Sequence, residues 1–117
     1  MLDLSTEPVK PIIEITEAPQ EILVGDGSPV TMDIGDNVTA ASNTNITIRC
    51  PVSGVPTPSV TWMKNAVAII ANEKLFVDGN VLVIKGANLQ DIGKYTCRVQ
   101  NQFGKTDMSS FVNIASK

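Results

Sequence analysis

The chain has 117 residues, the size of one domain, and carries a net charge of −3 with no histidine and two cysteines. Without histidine there is no Ser-His or Cys-His nucleophilic pair, no imidazole general base and no His metal ligand, and two cysteines cannot make a thiolate zinc site alone. The charge is uneven: residues 1–36 hold eight acids against Lys10, and residues 37–117 hold four acids against eight bases. The basic residues never form the dense run expected of a nucleic-acid binder. No run of 18 apolar residues exists to span a membrane as a helix.

Residues 1–29 contain Pro8, Pro11, Pro19 and Pro29 among scattered acids. Proline fixes φ and removes a ladder donor, so this segment reads as an acidic linker or an extended N-terminal piece. Of its two short apolar runs, Ile12–Ile15 and Ile22–Val24, one can be an edge strand; the alternative is a tail lying on the surface or without order. The start, Met1-Leu-Asp-Leu-Ser-Thr-Glu, has neither the basic opening nor the apolar centre of a secretion leader. If the protein is secreted, the chain is therefore expected to be a fragment, with Met1 added for expression.

From Val30 onward short alternating runs recur between turn residues, the pattern of an all-β sandwich. Residues 30–117 are expected to form the folded domain. Val30–Met32 is a first strand stopped at Gly35-Asp36, and a polar stretch follows through Asn43. Asn45–Cys50 then alternates, with Ile46, Ile48 and Cys50 on one side and Asn45, Thr47 and Arg49 on the other. The loop 54–58 interrupts, and Ser59–Trp62 resumes with Val60 and Trp62 inward. Asp78-Gly79 is a turn between strands at 74–77 and 81–84. In Gly93–Val99 the residues Tyr95, Cys97 and Val99 point inward. Asn101–Gly104 turns into a last strand over 106–114. The two cysteines lie too far apart for a C-x-x-C redox motif; they are either one disulfide or a pair of buried thiols.

Cys50, Trp62 and Cys97, together with Asp91-Ile-Gly93-Lys-Tyr95-Thr-Cys97, resemble an immunoglobulin domain, and Gly54-x-Pro56-x-Pro58 before Trp62 resembles its I-set branch. The resemblance covers residues 30–115. It implies an immunoglobulin-like two-sheet sandwich with one inter-sheet disulfide, Cys50 to Cys97, and Trp62 packed against the bridge. It also implies a tyrosine corner, with the Tyr95 hydroxyl returning to backbone near Asp91 and Gly93 making room for the start of the strand. The segment 34–62 is similar to immunoglobulin domains of matrix glycoproteins of the ADAMTS-like, papilin and hemicentin type. Catalytic relatives of that group carry a zinc motif absent here, so no protease activity carries over. Two departures stand out. The turn after the Trp62 strand reads Asn65-Ala66 where the family has Asn-Gly, and alanine resists positive φ, so a turn other than the two-residue type is expected. Several extra residues between Gly35 and Asn45 put the pairing of the first strand in question.

The functional candidates are few. Alternation places Thr61, Met63, Lys94, Thr96, Arg98, Ser109 and Phe111 on one outward sheet face. Exposed Met63 and Phe111 ringed by Lys94 and Arg98 would suit a protein partner, homophilic or heterophilic; the competing expectation is that Phe111 packs under the N-terminal segment or that the register slips by one. Lys64, Lys94, Arg98 and Lys105 form a second candidate, a basic patch for sulfated glycan, against the plainer reading of solvated surface charge. Asn37-Val-Thr39 and Asn45-Ile-Thr47 are N-glycosylation sequons, close to the chance number for a chain this rich in Asn, Ser and Thr. Asp33 and Asp36 lack a third ligand for calcium. No metal, cofactor or catalytic constellation is expected. The reading is a non-catalytic recognition or adhesion module of a larger secreted matrix or cell-surface protein, with a spacer in a tandem array as the alternative.

Overall fold

The computed structural model describes residues 8–115. Met1 to Glu7, with the acids Asp3 and Glu7 and the reading of Met1 as an added residue, lie outside the described residues, as do Ser116 and Lys117. In chain order the strands are β1 (Val9–Ile13), β2 (Glu21–Val24), β3 (Val30–Asp33), β4 (Asn37–Ala40), β5 (Thr44–Arg49), β6 (Val52–Val55), β7 (Ser59–Lys64), β8 (Val67–Ala68), β9 (Leu75–Asp78), β10 (Val81–Ala87), β11 (Gly93–Asn101) and β12 (Gly104–Ile114). A 3₁₀ turn, Leu89–Asp91, joins β10 to β11.

Two sheets face each other. One has the order β3-β5-β10-β9 and the other β2-β4-β12-β11-β7-β8; β1 and β6 form a separate ribbon. The core follows from alternation. Ile46, Ile48, Leu82 and Ile84 of the first sheet meet Trp62, Tyr95, Val99, Val112 and Ile114 of the second, and all are buried. Each such aliphatic side chain contributes roughly 1.5–3 kcal/mol on burial. The bridge Cys50–Cys97, with Cα atoms 6.5 Å apart, crosses this core between the sheets. Of the two readings open for the cysteines, the disulfide is the one formed.

Several expectations are corrected. The polar run after Gly35 contains a strand, β4, held between two parallel neighbours, β12 and β2. The chain reverses at Gly35, so β3 runs parallel to β5 and the extra residues are used to change sheets. The loop expected at 54–58 begins later, because Val52–Val55 pairs with β1. Both apolar runs of the acidic leader, not one, become strands.

The turn Asn65-Ala66 is a two-residue hairpin after all: Lys64 pairs directly with Val67. Asn65 has φ 50° and Ala66 φ 69°. Long-range bonds explain why alanine accepts this conformation. Asn65 N donates to the Lys94 carbonyl at 2.8 Å, and its Oδ1 accepts from Lys94 N at 3.0 Å. The turn is thus clamped to β11, 29 residues away in sequence.

Candidate functional site: the outer face of β7, β11 and β12

The family signature is built as the residues imply. Tyr95 Oη donates to the Asp91 carbonyl at 2.6 Å. Burial, and secondarily the Asp91 carboxylate, push the Tyr95 phenol well above its ordinary range. Asp91 is itself buried: Oδ2 accepts from Asn88 N at 2.9 Å and meets Lys74 Nζ at 2.9 Å. Trp62 Nε1 donates to the Gly79 carbonyl at 3.0 Å. A Cβ on Gly93 would come within 2.9 Å of the Asn65 side chain, so only glycine fits beneath the clamped hairpin.

The outward residues read from the sequence do converge. Register places Lys94 opposite Phe111, then Met63, Thr96 and Ser109 in one cross-strand row, then Thr61, Arg98 and Asp107 in the next. Neighbours in such rows lie about 5 Å apart. Together with Asn65 most of them line a shallow hollow of about 300 Å³. Its depth differs from expectation. Met63 is only 9% exposed and Thr96 only 8%, so both form a floor and not a raised centre. Thr96 is closed off by its own row: its Oγ1 shares a 2.8 Å hydrogen bond with Ser109 Oγ, flanked by Met63 on the other side. Phe111, by contrast, is 46% exposed beside the hollow and is not covered by the described part of the leader, residues 8–29.

Two members of this site escaped the sequence reading. Asp107 sits beside Arg98, with Oδ2 3.4 Å from Nη2, and partly neutralises it. Counting back by twos from Phe111 reaches Asp107, so alternation could have found it. Asn65 enters only through the clamped hairpin, which no local pattern announces.

Of the four residues of the basic patch, Lys94, Arg98 and Lys105 share the outer face and Lys64 does not. Lys64 turns to the other side of its sheet, where Nζ donates to the Gln90 carbonyl at 2.6 Å and lies 5.9 Å from the Tyr95 ring centre. Lys105 pairs opposite Gln100, diagonal to Arg98, so Lys94, Arg98 and Lys105 string along β11 over about 20 Å with Asp107 among them. The sequons also part. Asn37 lies on β4, its Nδ2 donating to Glu21 Oε1 and its Oδ1 accepting from Phe111 N. Asn45 is exposed on the opposite sheet. Asp33 is engaged by Arg49 at 3.0 Å, and Asp36 accepts Gln20 N at 2.9 Å, so these carboxylates secure turns. Among the described residues no three His, Cys, Asp or Glu side chains gather to hold a metal ion.

Comparison with known proteins agrees with this architecture. The model of the immunoglobulin I-set domain matches residues 28–114. Human ADAMTS-like protein 3 is 36% identical over 84 residues, covering 72% of the chain and 5% of that protein. Human hemicentin-1 is 33% identical over 79 residues, covering 66% of the chain and 1% of that protein. The chain thus spans a small fraction of the curated relatives it matches. Two of the matrix glycoprotein types suggested by segment 34–62 are among them. Among solved structures, a chain of the titin M10–obscurin-like 1 immunoglobulin complex superposes with a TM-score of 0.66 at 25% identity, covering 93% of this chain and 97% of that one.

Proposed function

Because the chain belongs to the immunoglobulin I-set family, we propose that it is a non-catalytic recognition module, a domain at residues 30–117 behind an acidic leader at residues 1–29, of a larger secreted matrix or cell-surface protein. It engages a protein partner, a second copy or another protein, through the outer face of β7, β11 and β12. The observation that carries this reading is Phe111, an aromatic side chain nearly half exposed beside a hollow floored by Met63 and walled by Lys94 and the Arg98–Asp107 pair. An apolar anchor next to a shaped, polar-rimmed depression is the anatomy of a small interface. The extracellular placement is supported by the disulfide and by the similarity to ADAMTS-like and hemicentin proteins. The missing histidine, and the fact that no three His, Cys, Asp or Glu side chains gather among the described residues, support the non-catalytic part.

A spacer role is the second reading. It draws on the leader, where Glu14 N donates to the Pro51 carbonyl and Asn101 Nδ2 to the Val9 carbonyl, tying the approach to the domain. Sedimentation velocity over a wide concentration range separates the two. Reversible dimers abolished by Phe111→Asp support homophilic recognition. A monomer at all concentrations, together with no effect of Phe111→Asp or Arg98→Glu on attachment of cells or matrix proteins to the immobilised domain, leaves the spacer.

A further inference from the structure

We infer that Asn45, and not Asn37, is the N-glycosylation site of this domain, placing one glycan on the four-stranded sheet, opposite the recognition face. The inference rests on the extracellular placement proposed above. In the transfer, Asn45 Nδ2 forms a bond to C1 of an oligosaccharide carried on a lipid diphosphate. The C1–O bond to phosphate breaks, the lipid diphosphate leaves with the bonding pair, and Nδ2 gives up one proton. Because this occurs before folding, the folded domain must then present Nδ2 to solvent.

The two sequons meet that demand very differently. In β5 the buried residues are Thr44, Ile46 and Ile48, so Asn45 and Thr47 stand on the solvent side. Asn45 uses Oδ1 to accept Gly86 N at 2.8 Å, and Nδ2 has no protein hydrogen bond among the described residues. The neighbouring strand departs from regular pairing here, between Ile84 and Ala87. Of the two residues in that irregularity, Lys85 and Gly86, the one bonded to Asn45, Gly86, has φ 55° and open space where a side chain would stand. Gly86 therefore puts no side chain beside Asn45. One row further, Thr31, Thr47, Val83 and Phe76 align across the four strands. Phe76 is 49% exposed with Lys85 Nζ 5.7 Å from its ring centre, an apolar patch two strands across the same sheet face.

Asn37 has the opposite surroundings. Its Nδ2 donates to Glu21 Oε1 and its Oδ1 holds Phe111 N, so its amide is wedged between β2 and β12. A sugar there would crowd the Glu21 contact and stand beside Phe111, the anchor of the proposed interface.

The test is secretion of the chain behind a cleavable leader from cultured eukaryotic cells, with glycan counted by endoglycosidase mobility shift and located by peptide mass spectrometry. One shift that vanishes in Asn45→Gln and Thr47→Val and persists in Asn37→Gln is expected. Thr47→Val keeps the β-branched shape and the Asn45 bond to Gly86, so loss of the glycan there cannot be ascribed to misfolding of Asn45→Gln. A glycan on Asn37, or a secreted, oxidised domain with Asn45 bare, overturns the inference. Since the added leader forces export, a bare Asn45 refutes the site alone. The extracellular placement is judged separately, by whether Cys50 and Cys97 are bonded in protein taken from its natural source.

Discussion

Replacing Ala66 by glycine is expected to stabilise the domain. Ala66 holds φ 69° in the two-residue turn after β7. A left-handed backbone costs an L-residue with a Cβ roughly 1–2 kcal/mol. Glycine removes that cost but gives the unfolded chain more freedom, worth about 0.4–1 kcal/mol in the other direction. The net expectation is a gain of about 0.5–1 kcal/mol. In urea, with a slope of about 1–2 kcal/mol per molar, the midpoint moves up by about 0.5 M at unchanged slope. The melting temperature rises by about 2–4 °C. Trp62, the single tryptophan, lies in the core on β7, so its fluorescence follows the transition directly. The neighbouring change has the opposite sign. Asn65→Ala puts a second alanine at positive φ and removes the bond to Lys94 N, lowering stability by about 1–2 kcal/mol. An Ala66→Gly protein no more stable than the parent would refute the claim that this turn is strained and held by β11.

Further outcomes follow from the buried groups. Tyr95→Phe removes the bond to the Asp91 carbonyl and should cost about 1–3 kcal/mol in chemical denaturation. The folded Tyr95 phenol titrates above its unfolded value of 10.0, so its contribution is complete below that pH and is lost as pH rises toward the folded pKa. Stability measured by urea midpoint should therefore fall above pH 10, and phenolate absorbance, which only Tyr95 can give, should appear together with unfolding. Lys74→Met leaves the Asp91 carboxylate buried without its cation and should destabilise by about 3 kcal/mol. Adding Asp91→Asn should recover part of that loss, a coupling that a double-mutant cycle measures. Replacing both cysteines by alanine opens a loop of 47 residues and should cost about 4 kcal/mol by the chain-entropy relation, read from the urea midpoint against the oxidised parent.

What the sequence disclosed and what it hid divide along the range of the forces. Ile46, Ile48, Leu82 and Ile84 obey simple alternation, so the core was legible, and Cys50, Trp62, Tyr95 and Cys97 carry chemistry that few folds use together. The outward face was legible as a set, because Phe111, Lys94 and Arg98 are fixed by the same period of two. Its relief was not. Whether Met63 stands proud or forms a floor depends on Thr96 and Ser109 closing around it, and those come from other strands. The hairpin at Ala66 was hidden for the same reason, since its stabilising bonds reach Lys94. β4 was masked by its composition: Asn37-Val-Thr-Ala reads as polar, yet two parallel neighbours supply its ladder.

The parallel pairing of β4 with β12 also decides how the domain bears tension. A pull on the chain before β4 and after β12 draws the two strands in opposite senses along their common axis. Their hydrogen bonds are then loaded together in shear, instead of opening one at a time as in a hairpin peeled from its end. β2, also parallel to β4, adds a second such ladder toward the N-terminal side. A chain bearing this domain would thus yield abruptly under load and not gradually.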